Sequence, residues 1–177
     1  MRRGLLLDRD GVINVDRGYV GSREQFEFTP CLFPFLRAAQ DRGFRLAILT
    51  NQSGVARGLY SEDDFEKLTA WMLCELQWQG IAIDLVLGCC EHPEGTVAAY
   101  ARESYWRKPN SGMVLETVQR MRLNPAHSVL LGDQMRDMEA AAAGGIGRKL
   151  LLSPSTADNK GIVTVRNFDE ALTRLVA

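Results

Sequence analysis

The sequence has no excess of either charge, since 21 Lys and Arg residues stand against 22 Asp and Glu residues, for a formal net charge of −1. Without a basic surplus, neither a nucleic acid nor an anionic membrane surface is expected as a partner. Long apolar runs are also lacking, so no membrane span is predicted, and the run after the first three residues is too short for a signal peptide.

Cysteine is scarce as well, with four residues in the chain. Together with the absence of a secretory signal, this number indicates free thiols in a reducing cytoplasm rather than a disulfide framework. Cys31 and Cys74 fall in apolar helical stretches, where we expect them to be small core residues.

What is present is the composition of a soluble globular protein, with 46% hydrophobic and 24% charged residues in 177 positions. No repeat or low-complexity linker divides the chain. A chain of this length favours one domain over residues 1–177, which would bury roughly 70% of its unfolded surface.

Short apolar runs alternate with longer helical patterns along the whole chain. The runs predict strands at 4–7, 44–50, 83–88, 127–133, 148–152 and 162–165. Helices are predicted at 30–40, from a Ser61 N-cap to 79, at 112–122, from after Asp133 to 143, and at 168–176. This order predicts an α/β fold with a doubly wound, Rossmann-like parallel sheet, whose sites lie at the carboxyl ends of the strands.

The stretch "LLLDRDGVIN" places Asp8 at the end of an apolar strand and Asp10 two residues later. Two ionised carboxylates at one strand end repel each other unless a cation lies between them, and a hard divalent metal such as magnesium suits oxygen ligands. Gly11 then permits a tight turn. Taken alone, the pattern is also that of an ordinary acidic turn.

Three further strand ends carry polar groups. Thr50 ends the strand before "NQSGVARG", Lys108 precedes a proline in "WRKP", and Asp133 and Asp137 lie one helical turn apart in "LLGDQMRD". Each has a plain alternative, namely a Ser/Thr turn, solvated charge, and helix capping. Four such ends in one sheet favour a common site.

The ordered set D-x-D, Thr, Lys and G-D-x-x-x-D resembles the haloacid dehalogenase-like phosphatases, and it spans residues 8–137. The segments "LDRDGVINVDRGYV", "TNQSGVARG" and "VLLGDQMRDMEAA" are most similar to the capless subgroup, which contains heptose 1,7-bisphosphate phosphatases and histidinol-phosphate phosphatases. This resemblance implies a single domain without a large cap.

The resemblance also implies catalytic roles. Asp8 would attack phosphorus and form an aspartyl-phosphate, and Asp10 would serve as general acid and then general base. Thr50 and Lys108 would stabilise the transferring oxygens. Magnesium would be held by Asp8, the backbone carbonyl of Asp10, and Asp133.

Substrate contacts follow from the same resemblance. The residues matching the substrate-binding positions of the heptose enzymes are Asp16, Arg17, Gly18, Tyr19, Asn51, Gln52, Ser53, Arg107 and Gln134. Arg107 is a candidate for a second phosphate because guanidinium grips phosphate bidentately. Gln134 stands where heptose enzymes often carry lysine. Arg57 either shapes the loop after Thr50 or is solvated, and Asp137 either orients Lys108 or a metal water, or makes only helix contacts.

The segment 89–110 is predicted to be a substrate-facing loop, which holds a structural zinc in relatives. Of the four positions that match zinc ligands there, this chain has Cys89, Glu91, Ser104 and Trp106. A closed zinc site needs four nitrogen or sulfur ligands, so no zinc is expected here.

The function implied by the resemblance is a magnesium-dependent phosphatase that removes the 7-phosphate of heptose 1,7-bisphosphate, for nucleotide-heptose synthesis toward lipopolysaccharide or capsule. The expected partner is a small phosphorylated sugar, and the expected protein is a cytoplasmic monomer. The alternatives are a histidinol-phosphate phosphatase or another small phosphosugar phosphatase and, more remotely, a non-catalytic phosphosugar-binding protein, which has no need of Asp10.

Overall fold

The computed structural model describes residues 2–155 and 161–175. Its core is a sheet in which every strand pairs in parallel with its neighbours, in the order β3-β2-β1-β4-β5-β6. The strands are β1 Arg3–Leu7, β2 Phe44–Asn51, β3 Leu85–Cys89, β4 Val129–Gly132, β5 Arg148–Leu152 and β6 Ile162–Val165. The predicted doubly wound parallel sheet is confirmed.

Helices cover both faces of the sheet: α1 Leu32–Asp41, α2 Ser53–Ala56, α3 Glu62–Trp78, α4 Gly112–Met121, α5 Met135–Ala143 and α6 Phe168–Arg174. Leu5 and Leu7 of β1 pack in one apolar cluster with α1, α3 and α6, whereas Leu6 packs in a second cluster with α4 and α5. This alternation follows from the two-residue period of a strand. Among the described residues, no helix combines the length and the apolar character that crossing a membrane requires.

The order of the strands reverses beside β1, because β2 and β3 extend the sheet on one side of it and β4 to β6 on the other. The carboxyl ends of β1 and β4 therefore border a crevice, which is where open α/β sheets bind ligands. The backbone N–H of Asp8 donates to the carbonyl of Leu131 at 3.0 Å, which ties the end of β1 to β4.

Several boundaries differ from those predicted. Helix α1 begins at Leu32 rather than at position 30, because Cys31 has a left-handed backbone (φ 65°) that cannot continue a helix. Cys31 and Cys74 are both exposed, so their expected place in the core was wrong. Ser61 and Asp64 form the reciprocal capping bonds expected at the start of α3.

The third and fourth strands are displaced or shorter than predicted. Strand β3 begins at Leu85 instead of 83, and β4 begins at Val129 because residues Pro125–His127 form a short 3-10 turn. The four-residue helix α2 was not predicted. The predicted end of the last helix, at 176, lies outside the described residues.

The segment 90–111 between β3 and α4 contains neither helix nor strand. The named strands of the described residues all belong to one sheet. This arrangement agrees with the single domain without a large cap that the resemblance implies.

Candidate active site

A buried lysine lies between two aspartates at the carboxyl edge of the sheet. The Nζ atom of Lys108 is 2.9 Å from Oδ1 of Asp8 and 2.7 Å from Oδ1 of Asp137, and it donates to the carbonyl of Leu49 at 2.8 Å. Lys108 is 2% exposed and Asp137 is fully buried. The three N–H groups of the ammonium thus have three acceptors, which fixes a positive charge beside Asp8.

Asn51 holds the backbone of Lys108 in place. Its Nδ2 donates to the carbonyl of Lys108 at 2.9 Å, and its Oδ1 accepts the N–H of Lys108 at 3.0 Å. This pair of bonds joins the end of β2 to the loop that follows β3. The side-chain amide of Asn51, predicted to bind substrate, is therefore used to position the lysine.

Burial and charge act in opposite directions on these groups. Burial raises the pKa of Asp8 to about 7, Lys108 opposes this, and Asp137 and Asp133 add to it. Burial alone would lower the pKa of Lys108, but Asp8 and Asp137 outweigh it and raise that pKa. Lys108 therefore stays charged.

The carboxylates also form a candidate metal centre. Asp8, Asp133 and Asp137 each offer one oxygen, and these three atoms lie within 4.8 Å of one another. Asp137 is already committed, because Oδ1 pairs with Lys108 and Oδ2 accepts the N–H of Gln134 at 3.1 Å. Oδ1 of Asp133 is buried and accepts no hydrogen bond from any described residue. Oxygens of this kind fit a hard cation such as magnesium, so Asp8 and Asp133 suit the predicted ion.

Asp10 is held by three side chains. Nη2 of Arg9 donates to both of its oxygens at 2.9 and 3.0 Å, Nδ2 of Asn14 donates to Oδ1 at 3.0 Å, and Nε2 of Gln52 donates to Oδ2 at 2.9 Å. Arg9 is itself 1% exposed and also donates to the carbonyl of Val20. Arg9 is the variable residue of D-x-D, and nothing in the sequence predicted its role.

An open cavity of about 310 Å³ lies beside Asp10. Its lining includes six of the predicted substrate residues, namely Asp16, Gly18, Tyr19, Asn51, Gln52 and Ser53, together with Asp10. Tyr60 and Arg136 also line it, and the sequence analysis missed both. For Arg136, the only signal in the sequence was its position one residue before Asp137, at the start of α5.

Three predicted substrate residues do not line this cavity. Arg17 is exposed and pairs with Glu27, away from the strand ends. Gln134 donates to Oδ2 of Asp133 at 3.1 Å, so it is placed to orient that carboxylate. Arg107 is half-buried, and its Nη1 lies 3.4 Å from the carbonyl of Glu91.

The loop 89–110 contains the four positions that match zinc ligands. Glu91, at one of these positions, is the centre of a group of side-chain contacts. Nε and Nη2 of Arg102 donate to its Oε1 at 3.1 and 2.7 Å, and the Cys89 thiol lies 3.4 Å from Oε2. Hydrogen bonds from Ser104 and Arg102 lower the pKa of Glu91. Arg57, at the end of α2, contacts this loop through His92 at 3.5 Å, so its contact is with the segment 89–110, which neither expectation for Arg57 named.

Comparison with known sequences places the chain among phosphatases. A family model described as HAD-hydrolase-like matches residues 105–161. The D-glycero-beta-D-manno-heptose-1,7-bisphosphate 7-phosphatase of Yersinia pestis is 39% identical over 159 residues, covering 88% of this chain and 85% of that protein. The corresponding alpha enzyme of Burkholderia mallei is 43% identical over 150 residues, covering 85% and 79%.

Solved structures give the same result. A protein described as a HAD-like phosphatase from Mesorhizobium loti superposes with a TM-score of 0.88 at 32% identity, covering 98% of this chain and 84% of that one. D,D-heptose 1,7-bisphosphate phosphatase from B. bronchiseptica, complexed with magnesium and phosphate, superposes with a TM-score of 0.82 at 25% identity, covering 98% and 97%. The chain therefore belongs to the haloacid dehalogenase-like phosphatases, in the heptose 1,7-bisphosphate 7-phosphatase family.

Proposed function

We propose that this protein removes the 7-phosphate of D-glycero-D-manno-heptose 1,7-bisphosphate, with magnesium as cofactor and an aspartyl-phosphate on Asp8. The observation that carries the proposal is the buried Lys108, held between Asp8 and Asp137 at the edge of a cavity that Asp10 lines. Relatives that are 39% and 43% identical over most of the chain carry this name, which supports the substrate.

In the first step an oxygen of Asp8 attacks phosphorus, and the bond from phosphorus to the sugar oxygen breaks. Lys108 carries the positive charge nearest to this carboxylate and remains in place because three acceptors hold it. The hydroxyl of Thr50, at the end of β2, is the neighbouring donor to the phosphoryl oxygens. A donor placed before the reaction stabilises charge in the transition state without reorganisation.

Asp10 moves the protons. It gives its proton to the departing sugar oxygen, and it then takes a proton from the water that attacks the aspartyl-phosphate, which releases inorganic phosphate and restores Asp8. General acid–base catalysis of this kind contributes about 10²–10⁴-fold. Arg9, Asn14 and Gln52 set the position from which Asp10 acts.

Asp8, Asp133 and the backbone carbonyl of Asp10 are the proposed magnesium ligands. Bound there, magnesium would neutralise the charge of the phosphoryl group and of the carboxylates around it. The buried, unpartnered oxygen of Asp133 supports this assignment, as does the magnesium in the B. bronchiseptica relative.

Arg107 and Arg136 are proposed to hold the second phosphate of the substrate. Arg136 lines the cavity and pairs with no carboxylate among the described residues. Burial lowers the pKa of Arg107, and the positive charges of Arg136 and Arg57 contribute to this shift, so the three guanidinium groups lie close enough to interact. An anionic phosphate would relieve that repulsion.

The remaining expectations are part of the same proposal. The protein would act in the cytoplasm as a monomer, without nucleic acid or membrane partners, and its product would enter nucleotide-heptose synthesis for lipopolysaccharide or capsule. The free state of Cys31, Cys74, Cys89 and Cys90 supports a reducing compartment. The bonds of Glu91 to Arg102 and Cys89 support a loop that needs no zinc.

Phosphate release tests the proposed function. Both anomers of heptose 1,7-bisphosphate, fructose 1,6-bisphosphate and histidinol phosphate should be compared with and without magnesium. We expect magnesium-dependent release, with the highest kcat/KM for one of the two heptose anomers. Both anomers are included because relatives named for each of them are similar to this chain. The Asp10→Asn variant should bind phosphate but release none from the sugar.

Three results would contradict the proposal. A preference for histidinol phosphate would move the enzyme to the other activity of the subgroup. Turnover by Asp10→Asn equal to that of the wild type would remove the acid–base assignment, and an inactive wild type that binds the sugar phosphate would indicate a binding protein.

A further inference from the structure

The side chain of Gln52 is committed to the catalytic groups on one side and to Tyr60 on the other. Its Nε2 donates to Oδ2 of Asp10 at 2.9 Å and to Oγ1 of Thr50 at 2.7 Å, while its Oε1 accepts the hydroxyl of Tyr60 at 2.5 Å. A carboxylate only accepts, so Nε2 must face Asp10 and Oε1 must face Tyr60. The phenol therefore supplies the donor for the end of the amide that faces away from Asp10, and both ends of the amide are held.

Packing holds Tyr60 where it can do this. A Cβ atom on Gly21 would lie 2.4 Å from the Tyr60 ring, and one on Gly54 would lie 2.2 Å from it. The ring thus fills space that only glycine leaves open, and it joins the segment before α1 to helix α2. Tyr60 is half-buried and Gln52 is 1% exposed, so the surrounding packing restricts both side chains.

We propose that Tyr60 and Gln52 are positioning residues for Asp10, which Tyr60 orients through the Gln52 amide; the inference rests on the proposed phosphatase function. Without the hydroxyl, Oε1 of Gln52 is a buried acceptor with no donor, and such an atom is costly enough to turn the amide. The Nε2 group then no longer donates to Asp10. The carboxyl group of Asp10 is no longer held in the position from which it protonates the oxygen of the leaving group. Arg9 and Asn14 keep their bonds to Asp10, so the loss is partial.

The dependence on the leaving group tests this role. An alkoxide leaves only when protonated, whereas a nitrophenolate leaves without an acid. Because kcat/KM covers the steps up to departure of the leaving group, a misplaced Asp10 lowers kcat/KM for the first kind of substrate and not for the second. For Tyr60→Phe we expect kcat/KM on a sugar phosphate to fall about tenfold, and on 4-nitrophenyl phosphate by less than about twofold. The inhibition constant of inorganic phosphate should stay unchanged, because Lys108 and Thr50 remain.

Two further variants separate this role from general destabilisation. Tyr100→Phe removes a comparable hydroxyl, which donates to Glu62 at 2.6 Å outside the cavity, and it should leave both substrates unaffected. Tyr60→Phe added to Gln52→Met should cost nothing beyond Gln52→Met alone, because the hydroxyl acts through the amide. Equal losses on both substrates, no loss on either, or additive costs in the double variant would overturn the inference.

A crystal structure of Tyr60→Phe decides the question without any turnover. We expect Nε2 of Gln52 to have moved out of hydrogen-bond distance of Asp10, and an unchanged contact would overturn the inference. A wild type that hydrolyses neither substrate would instead count against the proposed function, so the two failures are distinguishable.

Discussion

Lys108 has its fixed position because of two buried carboxylates and a backbone carbonyl, and its neighbours in the sequence supply none of them. Asp8 is 100 positions away and Asp137 is 29 positions away in the chain, yet both pair with the same ammonium. The order of charged residues predicted that Asp8 and Lys108 meet. That order left the role of Asp137 open, and the structure shows that Asp137 contacts Lys108.

Replacing this lysine should destabilise the fold as well as abolish turnover. Lys108→Met keeps the apolar stem but leaves two buried carboxylates without their cation, which costs about 3–5 kcal/mol at neutral pH. Urea denaturation measures the loss. Lys67→Met is the matched control, since Lys67 pairs with Asp63 on the exposed face of α3, and we expect no measurable change. Equal losses in the two variants would contradict the burial argument.

Protons and magnesium should compete at Asp8. Its pKa is raised above the unfolded value of 3.8 to about 7, chiefly by burial. The folded, metal-free protein therefore holds this proton more tightly than the unfolded chain, and the stabilisation it contributes is present at low pH and lost as pH rises through about 7.

Because magnesium at the proposed site would bind the ionised carboxylate, its effect should run the other way. We expect magnesium to raise the melting temperature little at about pH 5.5 and most above about pH 7.5. Scanning calorimetry with and without the ion at both values provides the measurement, and Asp8→Asn should weaken the pH dependence. An identical magnesium effect at both values would refute the competition.

At the scale of elements, the turns after the strands determine how close the catalytic groups come. Gly11 follows Asp10 with φ 86°, and a Cβ there would lie 2.2 Å from Oδ2 of Asp133. The glycine is thus required twice, by the left-handed backbone and by the approach of the β1 turn to Asp133. The sequence predicted the first requirement but contains no information on the second.

Two glycine variants separate these requirements. Gly11→Ala should lower magnesium affinity and activity by tenfold or more, because the methyl group displaces Asp133. Gly43→Ala is the control, since Gly43 also has a left-handed backbone (φ 81°) but nothing lies within 4 Å of its would-be Cβ. Each variant pays about 1–2 kcal/mol of backbone strain. Full activity of Gly11→Ala, measured with titrated magnesium, would contradict the close approach.

In the loop 89–110, residues at the positions that match zinc ligands take part in side-chain hydrogen bonds. Glu91→Ala removes the carboxylate that accepts from Arg102 and Cys89, and it frees the segment whose carbonyl lies beside Arg107. We expect KM for the bisphosphate to rise about tenfold with a smaller change in kcat, as for a lost positioning contact.

Glu94→Ala is the matched control, because Glu94 lies on the same loop with its side chain 78% exposed, and its ion pair with Arg57 at 3.4 Å is a surface pair that contributes little. Its KM should equal that of the wild type. Metal analysis should find zinc far below one ion per chain, and chelation of zinc should not reproduce the Glu91→Ala effect. Stoichiometric zinc would show that the loop is closed by metal after all.

At the scale of the whole molecule, the sheet order places β1 and β4 side by side and so brings together residues that begin and end the motif set. The exposed apolar side chains lie on different elements, among them Trp78 on α3, Leu115 on α4 and Val163 on β6. They belong to separate helices and strands, whereas the interface of a stable dimer is a large apolar patch.

We therefore expect the protein to be a monomer in solution. Light scattering after size exclusion should give a mass near 19.7 kDa. Twice that mass would contradict the expectation, and a return to the single mass in Trp78→Ser, whose native side chain is 86% exposed, would then identify the interface.

The sequence by itself determined the fold class and the order of Asp8, Thr50, Lys108 and Asp133 at the strand ends. Apolar runs of strand length separated by amphipathic helices admit few arrangements other than a parallel sheet, and such a sheet gathers its carboxyl ends along one edge. These features depend on local periodicity, which a single sequence contains.

Only the tertiary structure decided how the polar side chains near those ends are used. Asn51 binds the backbone of Lys108, Gln52 joins Asp10 to Tyr60, and Arg136 enters the cavity from α5. Two of these contacts join residues more than 40 positions apart, and each depends on where a loop packs against the sheet. A side-chain hydrogen bond requires a donor–acceptor distance that is correct to within a few tenths of an ångström. The packing of the whole chain determines whether the two groups reach that distance.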